Sequence, residues 1–478
     1  MPLTKNAQVT AVSAAIGLAL ALVAVAAAGP WESGQRTAER VAARPKATHT
    51  SAGTPRRTAE ASPAPLAADV LAPATGFPTV PAPTRAGLAE TLVPIVKASS
   101  GLGKVFTAAV VDAATGRLVY GLGAGTGAVP ASTTKIATAT AALSLLGPDH
   151  TFTTTVVAAT GARRITLVGG GDPTLTARAE AGGGYDAASL RELADDTARA
   201  LLRKGWTRVA LGYDASLYKG SPLHSIGHND NLAPVTALMA DEGRLDSTSY
   251  KGPASRSWNP ARSAAATFAE LLETRGITVT GEVSSRKASG GLLAEVQSPP
   301  LSELVERMLT NSDNDIAEAL ARQSAIATGK RASFYGGAAA IEGALEGLGL
   351  DVTGARFNDG SGLDKLDRVT AGQLAGLLSL AGSTSHPELR SIITGLPVAA
   401  FSGSLSTRFV SDTGRAGAGL VRAKTGTLTG VNALAGTVVD ADGRLLTFAF
   451  LTSGTTDPTA AAAALDRLAA AVSQCGCR

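Results

Sequence analysis

Hydrophobic positions fall into three regimes along the chain. From Val9 to Gly29 they run unbroken, rich in Ala, Leu and Val with only Thr10 and Ser13 polar. That is about the length a helix needs to cross a bilayer. From Trp31 to about Ala82 the pattern dissolves into Ala, Pro, Thr and Arg with neither the helical nor the strand period, which predicts a disordered stalk over residues 31–85. A globular pattern sets in from about Ala86. Val105 to Ala113 and Arg117 to Gly121 alternate around Ala114-Thr115-Gly116 and predict a hairpin. Pro130 opens an apolar helix, Ile136 to Leu146, closed by Gly147-Pro148. Leu301 to Met308 and Ile316 to Ile326 predict two helices around a polar break. Leu420 to Thr427, Asn432 to Val439 and Leu445 to Ser453 predict three strands, with Asp442-Gly443 in the last turn and an Ala-rich helix after it over Pro458 to Ala471. Strands at both ends with helices between predict an α/β (α+β) fold whose one antiparallel sheet is closed by both ends of the chain.

Composition narrows the class. The 478 residues are 45% hydrophobic, enough for one large domain or two to three smaller ones. Aromatics are only 4%, which leaves little for base stacking and speaks against a nucleic-acid partner. The net charge of +4 is concentrated near the start: Glu32 to Glu60 holds six basic residues against three acidic ones. A basic segment before a neutral body fits an anionic membrane or wall surface. Residues 1–30 read either as a cleaved signal peptide, with Ala24-Val25-Ala26 and Ala26-Ala27-Ala28 as cleavage sites, or as an uncleaved membrane anchor with Trp31 at its edge. Either reading makes the rest of the chain extracytoplasmic, membrane-anchored or secreted to the wall. Cys475 and Cys477, with no histidine nearby to complete a zinc shell, read as part of a frayed tail.

Three short motifs carry chemistry: Ser132-Thr133-Thr134-Lys135, Ser312-Asp313-Asn314 and Lys424-Thr425-Gly426. Ser132 stands at a helix start, where the helix N-terminus stabilises developing negative charge. Lys135, three residues on, shares its face. It can accept the serine proton only with a depressed pKa, for which burial and a second cation, Lys424, are the expected causes. In the break between two helices, Ser312 suits proton relay to a leaving amine. Asn314 suits orienting Lys135 and accepting a substrate amide. On the strand, Lys424 and the hydroxyls of Thr425 and Thr427 can hold a terminal carboxylate, while Gly426 lets a substrate backbone approach. The backbone N–H groups of Ser132 and Thr427 form the expected oxyanion hole. One such motif alone is a weak signal; three in order, each in a fitting element, are specific.

On these motifs the chain resembles the D-alanyl-D-alanine carboxypeptidase/endopeptidase group, the low-molecular-mass class C penicillin-binding proteins of peptidase family S13. The likeness extends to Pro130-Ala131 before the first motif, Gly169-Gly170-Gly171-Asp172-Pro173-Thr174-Leu175, Asn358-Asp359-Gly360-Ser361-Gly362-Leu363 and Leu396-Pro397-Val398-Ala399. It runs from about Ala86 to the C-terminus and leaves out the apolar run and stalk. Ser132 and Ser312 are 180 positions apart, Ser312 and Lys424 only 112. An inserted module over 176–295 accounts for the longer gap; the family carries one made of small β-rich subdomains, and Trp206 to Leu211 and Ile277 to Val283 read as strands. The penicillin-binding DD-peptidase domain is then 86–175 with 296–478.

The resemblance implies acyl transfer on peptidoglycan stem peptides. Ser132 attacks the bond between two D-alanines, D-alanine leaves, and water hydrolyses the acyl-enzyme. β-Lactam antibiotics such as penicillin acylate the same serine, and the chemistry needs no cofactor or metal. Asp172 either holds a cationic side chain such as diaminopimelate's or caps a turn. Asp359-Gly360-Ser361-Gly362 either lines the cleft or is a plain tight turn.

Two rival functions share these motifs. A serine β-lactamase of class A carries a glutamate in an E-x-x-L-N loop, and Glu388-Leu389-Arg390-Ser391-Ile392 does not match it. A non-catalytic penicillin-sensing or wall-binding module has no need of the Ser132/Lys135 pair. His224 and His228 are four apart, but Pro222 and Gly227 interrupt any helix, which leaves them as surface-loop histidines. Gly123-x-Gly125-x-x-Ala128 lacks an acidic ribose partner and reads as a loop.

Overall fold

The computed structural model describes residues 80–180, 182–411 and 414–477. The apolar run and residues 31–79 of the stalk lie outside the described residues. No described helix is long and apolar enough to cross a membrane.

Helix α1 (Arg85–Ala98), capped by Thr84, leads into β1 (Val105–Asp112) and β2 (Arg117–Leu122). β3 (Gly127–Ala128) and a single 3-10 turn, Ala131–Thr133, precede α2 (Thr134–Leu146). Next come β4 (Thr153–Ala158), β5 (Arg164–Val168), α3 (Leu190–Arg203), β6 (Arg208–Asp214), α4 (Pro260–Glu273), β7 (Thr278–Val279), β8 (Ser284–Ser285) and β9 (Gly291–Gln297). Helices α5 (Leu301–Asn311), α6 (Asn314–Ala327) and α7 (Phe334–Gly347) follow, then β10 (Val369–Thr370), α8 (Ala371–Ala381) and α9 (Arg390–Thr394). The chain closes with β11 (Arg422–Leu428), β12 (Val431–Val439), β13 (Leu445–Ser453) and α10 (Pro458–Ser473).

The first sheet has the order β11-β12-β13-β1-β2 and is antiparallel throughout. It is closed by both ends of the chain, as the sequence predicts. Six consecutive residues of β1 are buried because the strand period of two serves two cores at once. Ala108 and Val110 face α1 and α10, packing with Leu88, Leu468 and Phe448. Ala109 and Val111 face the helices on the other side, packing with Ile136, Leu320 and Leu378. On that side α2 is buried from Thr134 to Leu143, and its alanines let α6 and α7 come close. Lys135 is therefore placed inside a helix with no solvent-facing side at that turn.

The second sheet has the order β7-β6-β5-β4-β9, with β8 also pairing β6. β5, β6 and β7 run parallel, which requires crossover helices, and α3 and α4 supply them. Leu193, Leu201, Phe268 and Leu272 pack there on Ile165, Leu167 and Leu211. This module differs from the expected one in two ways. It begins at Thr153, well before 176, because β4 pairs with β9 (Thr153 opposite Gln297) and the two strands bracket everything between. It is also α/β, because its parallel strands carry their own helices. The cysteine tail departs from expectation too: Cys475 is buried among α1 and α10 side chains and disulfide-paired with Cys477, whose carbonyl accepts the Thr84 N–H at 2.7 Å.

Candidate active site

The turn before α2 aims Ser132. Ala131 takes φ +47°, a left-handed value rare outside glycine, and its side chain is fully buried. Such a conformation persists only where the surroundings over-determine it. Here β11 presses on the turn: a Cβ on Gly426 would lie 2.6 Å from the Pro130 carbonyl oxygen and 3.0 Å from Ala433 Cβ. A glycine at 426 thus lets β11 close on the chain's own Pro130-Ala131, a reason for its size that the sequence does not suggest. Ser312 ends α5 at φ +59°, and the Asp313 carboxylate caps α6 on the Ile316 N–H at 3.0 Å. The polar break between the helices is only these two residues, and Asn314 already opens α6.

The three motifs meet. Lys135 Nζ donates to Ser132 Oγ (3.1 Å), to Asn314 Oδ1 (2.6 Å) and to the Ser361 carbonyl (2.7 Å). Lys424 Nζ donates to Ser312 Oγ (2.8 Å) and to the Thr425 carbonyl (2.7 Å). The Thr425 hydroxyl donates to Ser404 Oγ at 2.8 Å, and Asn314 Nδ2 donates to the Asn231 carbonyl at 2.9 Å. Ser132, Ser312, Asn314, Thr425 and Thr427 line one cleft of about 240 Å³, to which the second module adds Asn231 and Lys251. Ser132 and Thr427, the expected oxyanion pair, are thus on the same cleft, with Lys424 fully buried behind it. A larger hollow of about 430 Å³ lined by Leu345, Val352 and Phe357 contains no motif residue.

Burial lowers Lys135 to about 8, against the opposing pull of Asp359, Glu318, Asp313 and Asp315. Burial pushes Lys424 well below the usual lysine value, and the charge on Lys135 pushes it further. The expected influence of Lys424 on Lys135 therefore runs the other way. Two buried amines that repel each other cannot both stay protonated, and the carboxylates favour the proton on Lys135.

The Asp359–Gly362 turn is a support beneath Lys135 instead of a cleft wall. Glu318 accepts the N–H groups of Gly360 (3.0 Å) and Ser361 (2.9 Å), and Asp359 accepts those of Gly362 (2.6 Å) and Asp364 (2.8 Å). His224 Nε2 lies 2.9 Å from Asp359 Oδ2, and both side chains are buried. This corrects its reading as a surface histidine: the loop carrying it folds inward. His228 is half-buried and stacks on Trp258 at 3.8 Å. A second buried cluster holds the Ser312–Asn314 motif. Arg307 binds Glu242 at 2.6 Å, Arg244 binds it at 2.9 Å, and Arg256 binds Asp315 at 3.0 Å. Both clusters are dense in ligand-type atoms. Their carboxylates meet His224, arginines and backbone N–H groups, with Glu318 Oε2 left without a hydrogen-bond partner.

Asp172 is not among the residues lining the Ser132 cleft. Its Oδ1 accepts the Thr174 N–H (2.7 Å) and hydroxyl (2.8 Å), the arrangement of a capped turn. Glu388, in the stretch weighed against a β-lactamase loop, pairs with His386 at 2.9 Å and does not line the cleft either. Sequence reasoning passed over Glu318, Ser404 and Arg307, read His224 as a surface histidine, and left Ser361 between cleft wall and plain turn. Ser361 acts through its carbonyl, and the others contact the motifs only through the fold, so no local spacing marks them.

An antiparallel sheet with an all-buried lysine helix on one face, and a serine, two lysines and an asparagine joined across its edge, defines the active-serine penicillin-binding class. The comparisons agree. The family described as D-Ala-D-Ala carboxypeptidase 3 (S13) matches residues 89–255 and 248–472, and the chain belongs to it. It is 39% identical to Carboxypeptidase DacB of Mycolicibacterium smegmatis, over 85% of this chain and 89% of that protein. It is 31% identical to a D-alanyl-D-alanine carboxypeptidase of Actinomadura sp., over 74% of this chain and 79% of that one. The crystal structure of penicillin-binding protein 4 (dacB) from Haemophilus influenzae shares the fold with a TM-score of 0.65 at 21% identity, covering 82% of this chain and 98% of that chain.

Proposed function

We propose that this chain is a serine DD-carboxypeptidase that removes the terminal D-alanine from peptidoglycan stem peptides and acts on cross-linked peptides through the same acyl-enzyme. The observation that carries the reading is the buried Lys135 amine, lowered to about 8, at 3.1 Å from Ser132 Oγ in an open cleft. In its neutral form Lys135 takes the Ser132 proton as Oγ attacks the carbonyl of the penultimate D-alanine. The N–H groups of Ser132 and Thr427 receive the oxyanion. Ser312, hydrogen-bonded to Lys424, relays to the leaving amine the proton that Lys135 took, which returns Lys135 to its neutral form. Thr425 and Thr427 hold the substrate carboxylate, with Ser404 fixing the Thr425 hydroxyl. Water then hydrolyses the ester with Lys135 again as base. β-Lactams acylate Ser132 by the same steps, with no cofactor or metal in the scheme.

The substrate places the reaction outside the cytoplasm. Residues 1–30 deliver the chain there, as a cleaved signal or a membrane anchor, with 31–85 as a stalk. Residues 153–297 form a module inserted into the peptidase domain, and its Asn231 and Lys251 complete the cleft. Asp172 sits in that module's turn and serves as its cap.

The test is D-alanine release from a pentapeptide ending in D-Ala-D-Ala by residues 80–478, with Ser132→Ala alongside. Release by the wild type alone supports the assignment. No release from folded wild type rejects carboxypeptidase action, and the lifetime of a penicillin adduct then separates an endopeptidase or sensor from a β-lactamase.

A further inference from the structure

Lys135 receives three hydrogen-bond acceptors, and only two of them, Ser132 and Asn314, belong to the motifs. The third is the carbonyl of Ser361, in a turn that β-strand or helix geometry does not fix. What fixes it is a set of buried charges on three segments. Glu318 on α6 holds the Gly360 and Ser361 N–H groups, and Thr138 on α2 donates to the Gly360 carbonyl at 2.6 Å. Asp359 holds the far end of the turn at the Gly362 and Asp364 N–H groups. The Asp359 carboxylate is in turn held by His224, which reaches in from the second module and packs edge-on against Phe334 at 5.0 Å.

We propose that His224 is a positioning residue for Lys135: by pairing with Asp359 it pins the Ser361 carbonyl on the lysine amine, and its charge offsets the carboxylates that would otherwise keep that amine protonated. The inference rests on Lys135 acting as the base for Ser132 and adds a residue from the second module to that function. The groups around the pair decide the sign. Facing His224 are the carboxyl groups of Asp359, Glu318 and Asp364; Arg322 on α6, 4.1 Å from the Phe334 ring, also acts on Glu318, and Asp367, raised by burial to about 9, is hydrogen-bonded to Asp359. Facing Lys135 are Asp359, Glu318, Asp313 and Asp315, with Lys424 beyond. Asp359 and Glu318 are common to both sets. Burial alone would lower His224, but the Asp359 hydrogen bond and the charges of Glu318, Asp359 and Asp364 outweigh it and raise it above its ordinary value. Its positive charge thus sits on the two carboxylates that hold the Lys135 proton. Without it those carboxylates bind the lysine proton more tightly, and the free base becomes scarcer at neutral pH.

The experiment is the pH profile of acylation by a fluorescent penicillin, for the wild type and His224→Gln. Glutamine keeps a donor toward Asp359 and drops the charge. The expected result is an acid limb displaced upward by about one pH unit, with roughly a tenfold slower acylation near pH 7 that recovers at high pH. A variant that acylates more slowly by the same factor at every pH, or as fast as wild type, overturns the charge role. Wild type that does not acylate at all would instead reject the Ser132/Lys135 assignment, so the two failures differ. Should His224→Gln not fold, imidazole proton NMR of the wild type decides. One of the five histidines must titrate above the ordinary imidazole value and shift on acylation of Ser132. Titration of all five at or below the ordinary value overturns the proposal.

Discussion

Two buried charge clusters flank the cleft, and they are neutralised by different means. Beneath the Ser312–Asn314 motif, Glu242, Asp313 and Asp315 are matched by Arg244, Arg256 and Arg307. Beneath Lys135, Asp359 is matched by His224 and Glu318 by Arg322 and His224, with Lys135 itself close by. Guanidinium stays charged at any working pH, so the arginines of the first cluster mainly hold geometry, and its Asp313 and Asp315 act on Lys135 less than Asp359 and Glu318 do. Imidazole and a depressed lysine titrate near neutrality, so the second can also govern how often a base is free. The second module supplies Glu242, Arg244, Arg256 and His224. It therefore reaches under the peptidase site at two points, and those two points do different things.

The arginine cluster breaks hardest. Glu242 and Asp241 before it both adopt left-handed φ, +54° and +52°, a strained entry that its partners must hold. Arg307→Ala takes one of three guanidiniums from Glu242 and the main cationic charge from buried Asp313, and should cost up to about 3–5 kcal/mol of stability. Denaturant unfolding checks the magnitude. Penicillin acylation of the fraction that remains folded should show an acid limb displaced less than in His224→Gln, because Asp313, which Arg307 offsets, acts on Lys135 less than Asp359 and Glu318 do; an equal or larger displacement would erase the distinction between the clusters.

Next in size is the turn that joins the second cluster to Ser132. Gly362 has φ +80°, and a Cβ there would come within van der Waals exclusion of the Ala131 carbonyl oxygen. Gly362→Ala must displace either that turn or the Ser132 turn. Acylation should fall by more than about a hundredfold, since a misplacement of about an ångström costs that much. Unfolding should shift less than for Arg307→Ala, because no charge is stranded. Near-normal acylation would mean that the turn does not set the position of Ser132.

The sequence made the first sheet, its flanking helices and the three motifs readable because each is local. Strand alternation around Val105–Asp112, the apolar run of α2 and the polar break at Ser312 need only neighbours to be recognised. The start of the second module was not readable, because β4 is assigned by pairing with β9 more than 130 positions away. The same holds for its helices, which follow from parallel pairing. Within the site, residue types at motif spacing were legible, whereas the direction of charge coupling was not. Lys135 and Lys424 differ only in how many carboxylates face each, and those come from α6 and the Asp359 turn. His224 looked like a loop residue because its partner Asp359 is 135 positions on.

The pH profile of the wild type probes the titrating cluster without mutation. With Lys135 lowered to about 8, the competent free amine falls about tenfold for each pH unit below that value. Penicillin acylation measured from about pH 6 to about pH 9 should therefore rise along an acid limb that levels near 8. A flat profile would remove the functional contrast between the clusters and return Lys135 to a purely structural part.

Salt gives the smallest and most discriminating effect. At about 0.1 M salt exposed charges are screened beyond about 10 Å, and at about 1 M beyond about 3 Å, but buried pairs are screened far less. Arg307, Glu242, Arg256 and Asp315 have side chains between 1% and 8% exposed, and His224 and Asp359 are at 3% and 0%. The stability deficit of Arg307→Ala and the pH displacement of His224→Gln should therefore each move little, by less than about 0.5 kcal/mol, between those conditions. The Arg262–Glu282 pair, 58% and 75% exposed, is the control: whatever Arg262→Ala costs at low salt should vanish at high salt. If salt erased the Arg307→Ala deficit as well, water would have to reach that cluster, and its arginines would no longer be a fixed scaffold beneath Ser312. If it erased only the His224→Gln displacement, the charge of His224 would be acting through solvent instead of through Asp359, and the two clusters would differ in access as well as in chemistry.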